Sequence, residues 1–226
     1  MKADTTSSWI AACDEVRHAL EEYGCFVAVY DKVCLELNDA IIGGMEALFS
    51  LPLETKSKNI SKMPCFRVRR NGEEDGIPKL RRGEVRFRNW IIHLLLKLMK
   101  YKAPTEGESN IGSMAWKCKQ RMEWMGLEPR PSSFVVMAGN AFMVFHCFNG
   151  RIPSPNHRVL MSGDQARYSL ALFSFNDGVI QVPEEVVDDE HPLKFKPFDG
   201  FGYFRFCMAH VGKRKFEHLI EEICGV

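Results

Sequence analysis

The sequence predicts an α+β chain: a helix–strand–helix preface, a β-rich body of sandwich or barrel type, and a closing helix. Three observations carry that expectation. Apolar residues recur at helical spacing near the start, and helical spacing returns at the end. Between them, after residue 90, short strand-like runs alternate with Gly, Pro, Asn and Asp turn signals.

Trp9, Cys13, Val16 and Leu20 lay one stripe along a helix over about 8–23, with Ser7 or Ser8 as its cap and Gly24 as its stop. Cys25-Phe26-Val27-Ala28-Val29-Tyr30 is rich in β-formers and predicts a buried strand. Asp31 opens a second helix over about 32–49, interrupted at Gly43-Gly44 and closed before Pro52. From Arg67 to Arg88, eight basic residues stand against four acidic ones with almost no apolar periodicity. This predicts an exposed linker with one short strand near Val85–Phe87. Strands are expected at 94–102, 123–128, 133–138, 141–145, 157–161, 167–175 and 179–182. The tail over about 202–224 reads as helix, with Phe216, Leu219, Ile220 and Ile223 on one face.

Composition removes several function classes. A chain of 226 residues, 46% hydrophobic and 26% charged, buries a real core in one domain or slightly more. A net charge of +1 gives no global pull toward nucleic acid or acidic membranes. The basic stretch could contact phosphates, but the aromatics that stack bases are sparse there, so a solvated linker is the expectation. The eight cysteines include no C-x-x-C pair, which argues against a zinc ribbon and for reduced thiols in the cytoplasm. Met1–Ser8 lacks the apolar core of a secretory signal, and the longest apolar run, Trp90–Leu96, is too short to span a bilayer.

The chemistry gathers in two short stretches. Ser154-Pro155-Asn156-His157-Arg158-Val159 places His157 on one strand. Arg167-Tyr168-Ser169 places Arg167 and Ser169 two apart, hence on one face, of what should be the neighbouring strand, with Gly163-Asp164 as the turn. Imidazole is a ligand for a non-haem iron site, whose two-His, one-carboxylate facial triad leaves positions open for an α-keto acid and dioxygen. A guanidinium grips the far carboxylate of that acid through two parallel bonds, and a nearby hydroxyl adds a donor.

With these residues in view, the stretch from Phe134 onward resembles the C-terminal half of plant-type 2-oxoglutarate/Fe(II)-dependent dioxygenases. The similar words are Phe134–Asn140, Asn149-Gly150-Arg151-Ile152, Ser154–Val159 and Ala166–Ser169. Pro183–Pro192 and Ala19–Phe26 are similar to the AOP-like branch. The resemblance implies a double-stranded β-helix, or jelly-roll, core and Fe(II) and 2-oxoglutarate as cofactors. It implies His157 as the second iron-ligand histidine, and Arg167 with Ser169 on the 2-oxoglutarate carboxylate. Tyr101 lies where the family often adds another 2-oxoglutarate contact. The implied activity is oxidation of a small specialised metabolite. The implied division is an N-terminal dioxygenase-type module at 1–66, a basic linker at 67–90 and the jelly roll with its C-terminal helix at 91–226.

The chain departs from the pattern at the metal. The family's first ligands form a His-X-Asp or His-X-Glu motif, yet none of the seven histidines is followed two residues on by an acid. The landmarks around that motif, Ser109–Gly112 and Glu123-Trp124, are joined by only Ser113–Met122. The expectation is therefore a truncated member with an incomplete jelly roll, impaired as an enzyme, or a non-catalytic module of the same descent. His146 and Cys147 are the nearest substitute ligands, and Arg167 could instead serve a structural ion pair. Losing a strand beside the metal also predicts lower stability, unless 67–88 or 116–122 covers the gap.

Overall fold

The computed structural model describes residues 4–58, 83–87, 90–101, 103, 115–120, 123–127, 130, 132–144, 149–161, 164–176, 178–210 and 219–226. The basic residues Arg67 to Arg82, the substitute ligands His146 and Cys147, the Ser109–Gly112 words and Phe216 lie outside them. Helix α1 (Asp4–Tyr23) starts earlier than expected and ends at Gly24, whose N–H donates to the Leu20 carbonyl at 2.9 Å. Gly24 has φ +68°, and a Cβ there would strike the Pro153 carbonyl oxygen and come within 2.7 Å of Pro155 Cδ. Only glycine both turns the chain here and lets 153–155 pass.

Strand β1 (Cys25–Val29) then pairs antiparallel with β6 (Ser133–Met137), from Cys25↔Met137 to Val29↔Ser133. Helix α2 (Leu35–Ser50) corrects the expected break at Gly43-Gly44 by running straight through it, and it begins at Leu35 rather than after Asp31. The reason is packing one turn further on. Met45 and Phe49, four apart on one face, bury against Leu98, with Leu96 and Tyr168 beside them. Tertiary burial outweighs the roughly 1 kcal/mol that each mid-helix glycine costs. A short α3 (Leu53–Ser57) follows.

The jelly-roll body is built from two three-stranded sheets. In the first, β2 (Gly83–Phe87), β3 (Trp90–Tyr101) and β8 (Arg167–Asn176) lie in the order β2-β3-β8. The β3–β8 ladder has ten antiparallel pairs, from Ile92↔Asn176 to Tyr101↔Arg167. In the second, β4 (Ala115–Gln120), β5 (Glu123–Leu127) and β7 (Asn156–Leu160) lie in the order β5-β4-β7. A complete jelly roll has eight strands, so this one is incomplete among the described residues. Strand β4 was not expected, and it occupies the short joint where the ligand motif is missing. It pairs on both sides, with β5 from Trp116↔Leu127 to Gln120↔Glu123 and with β7 from Ala115↔Leu160 to Lys119↔Asn156. Residues 115–120 thus cover part of the ladder that the contraction would have left open.

One expected strand is a helix. Residues 141–145 were read as β, but α4 (Asn140–Val144) forms instead, with Met143 N–H donating to the Gly139 carbonyl at 3.2 Å. A five-residue apolar run cannot declare its period. Its helical form buries Val144 in the second core, with Ile180, Phe195, Phe198, Tyr203, Cys207, Ile220 and Cys224. That core joins β9 (Val179–Ile180), β10 (Phe198–Asp199), α5 (Gly200–His210) and α6 (Leu219–Cys224). In α6 the inward face is Ile220 and Cys224, while Ile223 is exposed. Tyr203 accepts from Asn140 Nδ2 at 2.8 Å, and burial pushes its phenol well above the ordinary tyrosine range.

Asn149 ties the turn before β7 to the 191–194 segment that leads into this core. It is buried at positive φ (38°), its Nδ2 donates to the Pro192 carbonyl at 3.0 Å, and its Oδ1 accepts from Lys194 N–H at 3.1 Å. Two substitutions test these anchors. Gly24→Ala should lower unfolding free energy by more than about 2 kcal/mol in urea, from left-handed backbone strain plus the clash. Asn149→Ala should cost about 1–3 kcal/mol, because it leaves the Pro192 carbonyl and the Lys194 N–H without their partner at a partly buried site.

Candidate functional site

Alternation along β3 and β8 sorts their side chains onto two faces. Leu96, Leu98 and Tyr168 face α2, so Met99, Tyr101, Arg167 and Ser169 share the face turned away from it. Tyr101 stands directly opposite Arg167, and Met99 directly opposite Ser169. Three residues singled out in the sequence are therefore brought together at one end of one ladder. Opposed residues have Cβ atoms about 5 Å apart, and Ser169 lies about 7 Å along the strand from Arg167.

Arg167 is the unusual member. Its Nη1 is buried without a hydrogen-bond partner among the described residues. Burial lowers the guanidinium pKa, and the facing Tyr101 phenol opposes that shift. The Tyr101 hydroxyl donates to Met99 Sδ at 3.6 Å, a weak acceptor. No ion pair to Arg167 occurs among the described residues, so the expected alternative of a structural pair has no support there. On the sheet's other face, Lys100 lies over the Tyr168 ring at 5.9 Å, and Tyr168 meets Phe49 at 5.9 Å.

His157 is placed elsewhere. The expectation of a paired neighbouring strand is corrected: β7 belongs to the β5-β4-β7 sheet and β8 to the β2-β3-β8 sheet. Successive jelly-roll strands cross between layers rather than folding back as hairpins. The His157 ring is solvent-exposed, with Nδ1 3.2 Å from the Pro155 carbonyl. In the backbone register it lies opposite Cys118, a position that only the unexpected β4 provides. Arg158 next to it stacks on Trp124 of β5, 4.1 Å from the ring centroid. The alternation of Trp116-Lys117-Cys118-Lys119-Gln120 was the available signal for β4.

The two halves of the implied cofactor set fare differently. An anion fits the Arg167 end, where a buried N–H lacks an acceptor and two hydroxyls share its face. Iron does not fit the described residues, which contain no group of three or more His, Cys, Asp or Glu able to hold a metal. A single imidazole supplies neither the affinity nor the geometry such an ion needs.

If Arg167 waits for an anion rather than completing a structural pair, Arg167→Met should leave the ligand-free protein unchanged or stabilised. The unfolding free energy in urea should fall by less than about 0.5 kcal/mol, against about 3 kcal/mol or more for breaking a buried pair.

Comparison with known proteins bears on the fold. Residues 108–176 match the 2OG-Fe(II) oxygenase superfamily, and residues 2–85 match the N-terminal domain described as non-haem dioxygenase in morphine synthesis. The chain is 28% identical over 284 positions to the probable 2-oxoglutarate-dependent dioxygenase AOP1.2 of Arabidopsis thaliana, covering 92% of this chain and 88% of that one. Since 92% of 226 residues is about 208, roughly 76 of those positions have no counterpart here. It is 40% identical over 107 residues to the 2-oxoglutarate-dependent dioxygenase AOP3 of the same plant, covering 46% of this chain and 25% of that one. The fold is similar to the rice dioxygenase for auxin oxidation, with a TM-score of 0.64 and 17% identity over 94% of this chain and 93% of that one. No described helix is long and apolar enough to cross a membrane. Motif words, jelly-roll topology and these matches converge: along most of its length the chain is similar to the plant-type 2-oxoglutarate/Fe(II)-dependent dioxygenases, and to their AOP-like branch in particular.

Proposed function

We propose that this chain keeps the carboxylate-gripping half of a 2-oxoglutarate/Fe(II) dioxygenase site and is impaired in the oxidative half. Arg167 takes the far carboxylate of 2-oxoglutarate through its guanidinium fork, with Ser169 and Tyr101 as flanking hydroxyl donors. His157 holds the inherited position of the second iron-ligand histidine. The first histidine and the acid have no counterpart in the sequence. The observation that carries this reading is the contrast within the site: a buried guanidinium nitrogen without a partner, and no metal-holding group among the described residues.

The ancestral substrate class is a small specialised metabolite. The organisation we infer is the N-terminal module at 1–66, the basic linker at 67–90 and the catalytic-type domain at 91–226. The same contrast favours a second reading, a non-catalytic module that retains the fold for interaction.

Succinate release from 2-oxoglutarate with added Fe(II) and ascorbate separates working from impaired. Release should not exceed that of a His157→Ala control. Turnover well above the control would sink the impairment, whereas background-level release leaves the non-catalytic module as the reading to pursue.

A further inference from the structure

Two Asn-Gly pairs occur in the chain, Asn71-Gly72 and Asn149-Gly150. Asparagine is chemically labile, and most so before glycine, where no Cβ keeps the backbone nitrogen from the side-chain carbonyl. Asn71 lies outside the described residues. Asn149 lies in the turn before β7, is 2% exposed and has φ +38°, with Gly150 at φ +81°. Each group that such a reaction uses is engaged in the fold. Gly150 N–H, which must give up its proton to attack, donates to the Met143 carbonyl at 3.0 Å. The Nδ2 that must leave donates to the Pro192 carbonyl at 3.0 Å and to the His191 carbonyl at 3.4 Å. Oδ1 accepts from Lys194 N–H at 3.1 Å, so the whole carboxamide is committed to the 191–194 segment.

We propose that Asn149-Gly150 is a modification site sealed by the fold: it deamidates only when the turn before β7 opens, and the product then keeps the turn from closing again. In the reaction the Gly150 nitrogen bonds to Asn149 Cγ, and Nδ2 departs as ammonia with the proton that Gly150 gives up. Water then opens the succinimide ring at either carbonyl, leaving an aspartate or its β-linked isomer. One amide and one water are consumed, one carboxylic acid and one ammonia are formed, and nothing is oxidised or reduced. In the folded chain ring closure requires the bonds to Met143, Pro192 and Lys194 to break together. The rate therefore follows the fraction of chains in which the turn is open. The product makes the event one-way. A carboxylate puts an oxygen where Nδ2 faced the Pro192 and His191 carbonyls, and it carries charge at a buried position. The β-linked isomer adds a main-chain carbon beside Gly150, where a Cβ would already lie 3.3 Å from both Lys194 and Phe195. Just beyond the turn come Ile152, fully buried, and 153–155, which pass Gly24 before β7 begins. One chemical mark at 149 thus unseats the lead-in to the strand that carries His157.

Peptide mapping by mass spectrometry tests this on the full chain held in mildly alkaline buffer with and without urea. In urea Asn149 and Asn71 should deamidate at rates within about threefold of each other, since both precede glycine in an unfolded chain. Without urea Asn149 should react at least about a hundredfold more slowly than in urea. Phe195→Ala loosens the wall against Gly150 and leaves the reacting pair intact. It should speed Asn149 about tenfold or more without urea and leave the rate in urea unchanged. Phe195→Leu takes its place if circular dichroism shows Phe195→Ala to be unfolded. Asn149→Asp, which installs the product directly, should unfold at lower urea than the wild type. Equal rates with and without urea, a folded Phe195 variant that reacts no faster than the wild type, or an Asn149→Asp chain as stable as the wild type would each overturn the proposal.

Discussion

The ten-pair ladder between β3 and β8 is the interaction on which the rest of the molecule depends. One of its faces receives Met45 and Phe49, which fixes α2 against the sheet. Its other face ends in Tyr101, Arg167 and Ser169. Because side chains alternate with a period of two, these two assignments are a single fact about register. A slip of one residue would drive Arg167 into the helix contact and turn Tyr168 and Leu98 onto the polar face. The apolar contact with α2 therefore keeps the polar face polar, and it does so without touching it.

Charge placement shows the same economy. Elsewhere among the described residues the ion pairs are solvent-exposed, such as Arg17 with Asp14 and His191 with Asp188, and such pairs contribute little. The His191 contact holds the Asp188 carboxyl below its ordinary range, but at a fully exposed site. Arg167 differs in being partly desolvated with no acid paired to it among the described residues. A fold can carry such a group when something outside the chain completes it, which is why the arginine, rather than the histidine that first draws attention, is the informative residue of this site.

Much of this was legible in the sequence, and the failures have physical causes. Gly24 announced its left-handed helix end, and Arg167-Tyr168-Ser169 announced a strand with one polar face, because each depends on local geometry alone. The helix through Gly43-Gly44 was not legible, since its continuity is decided by Met45 and Phe49 meeting Leu98, far away in the chain. The strand expected at 141–145 gives way to a helix because five apolar residues have no measurable period. Strand β4 went unnoticed because it lies where the family pattern predicts a gap, and a resemblance directs attention to what is missing. That His157 and Arg167 lie in different sheets is a matter of topology, which spacing along the chain does not encode.

Arg167 is the first residue of β8 and Tyr101 the last of β3, so the two sit on the terminal rung of the ladder. Terminal rungs open and close more readily than interior ones. An anion that bridged guanidinium and phenol at that rung would act as a clasp on the zipped strands, making occupancy and closure one equilibrium. Ligand concentration would then be written into how tightly that end of the sheet is shut.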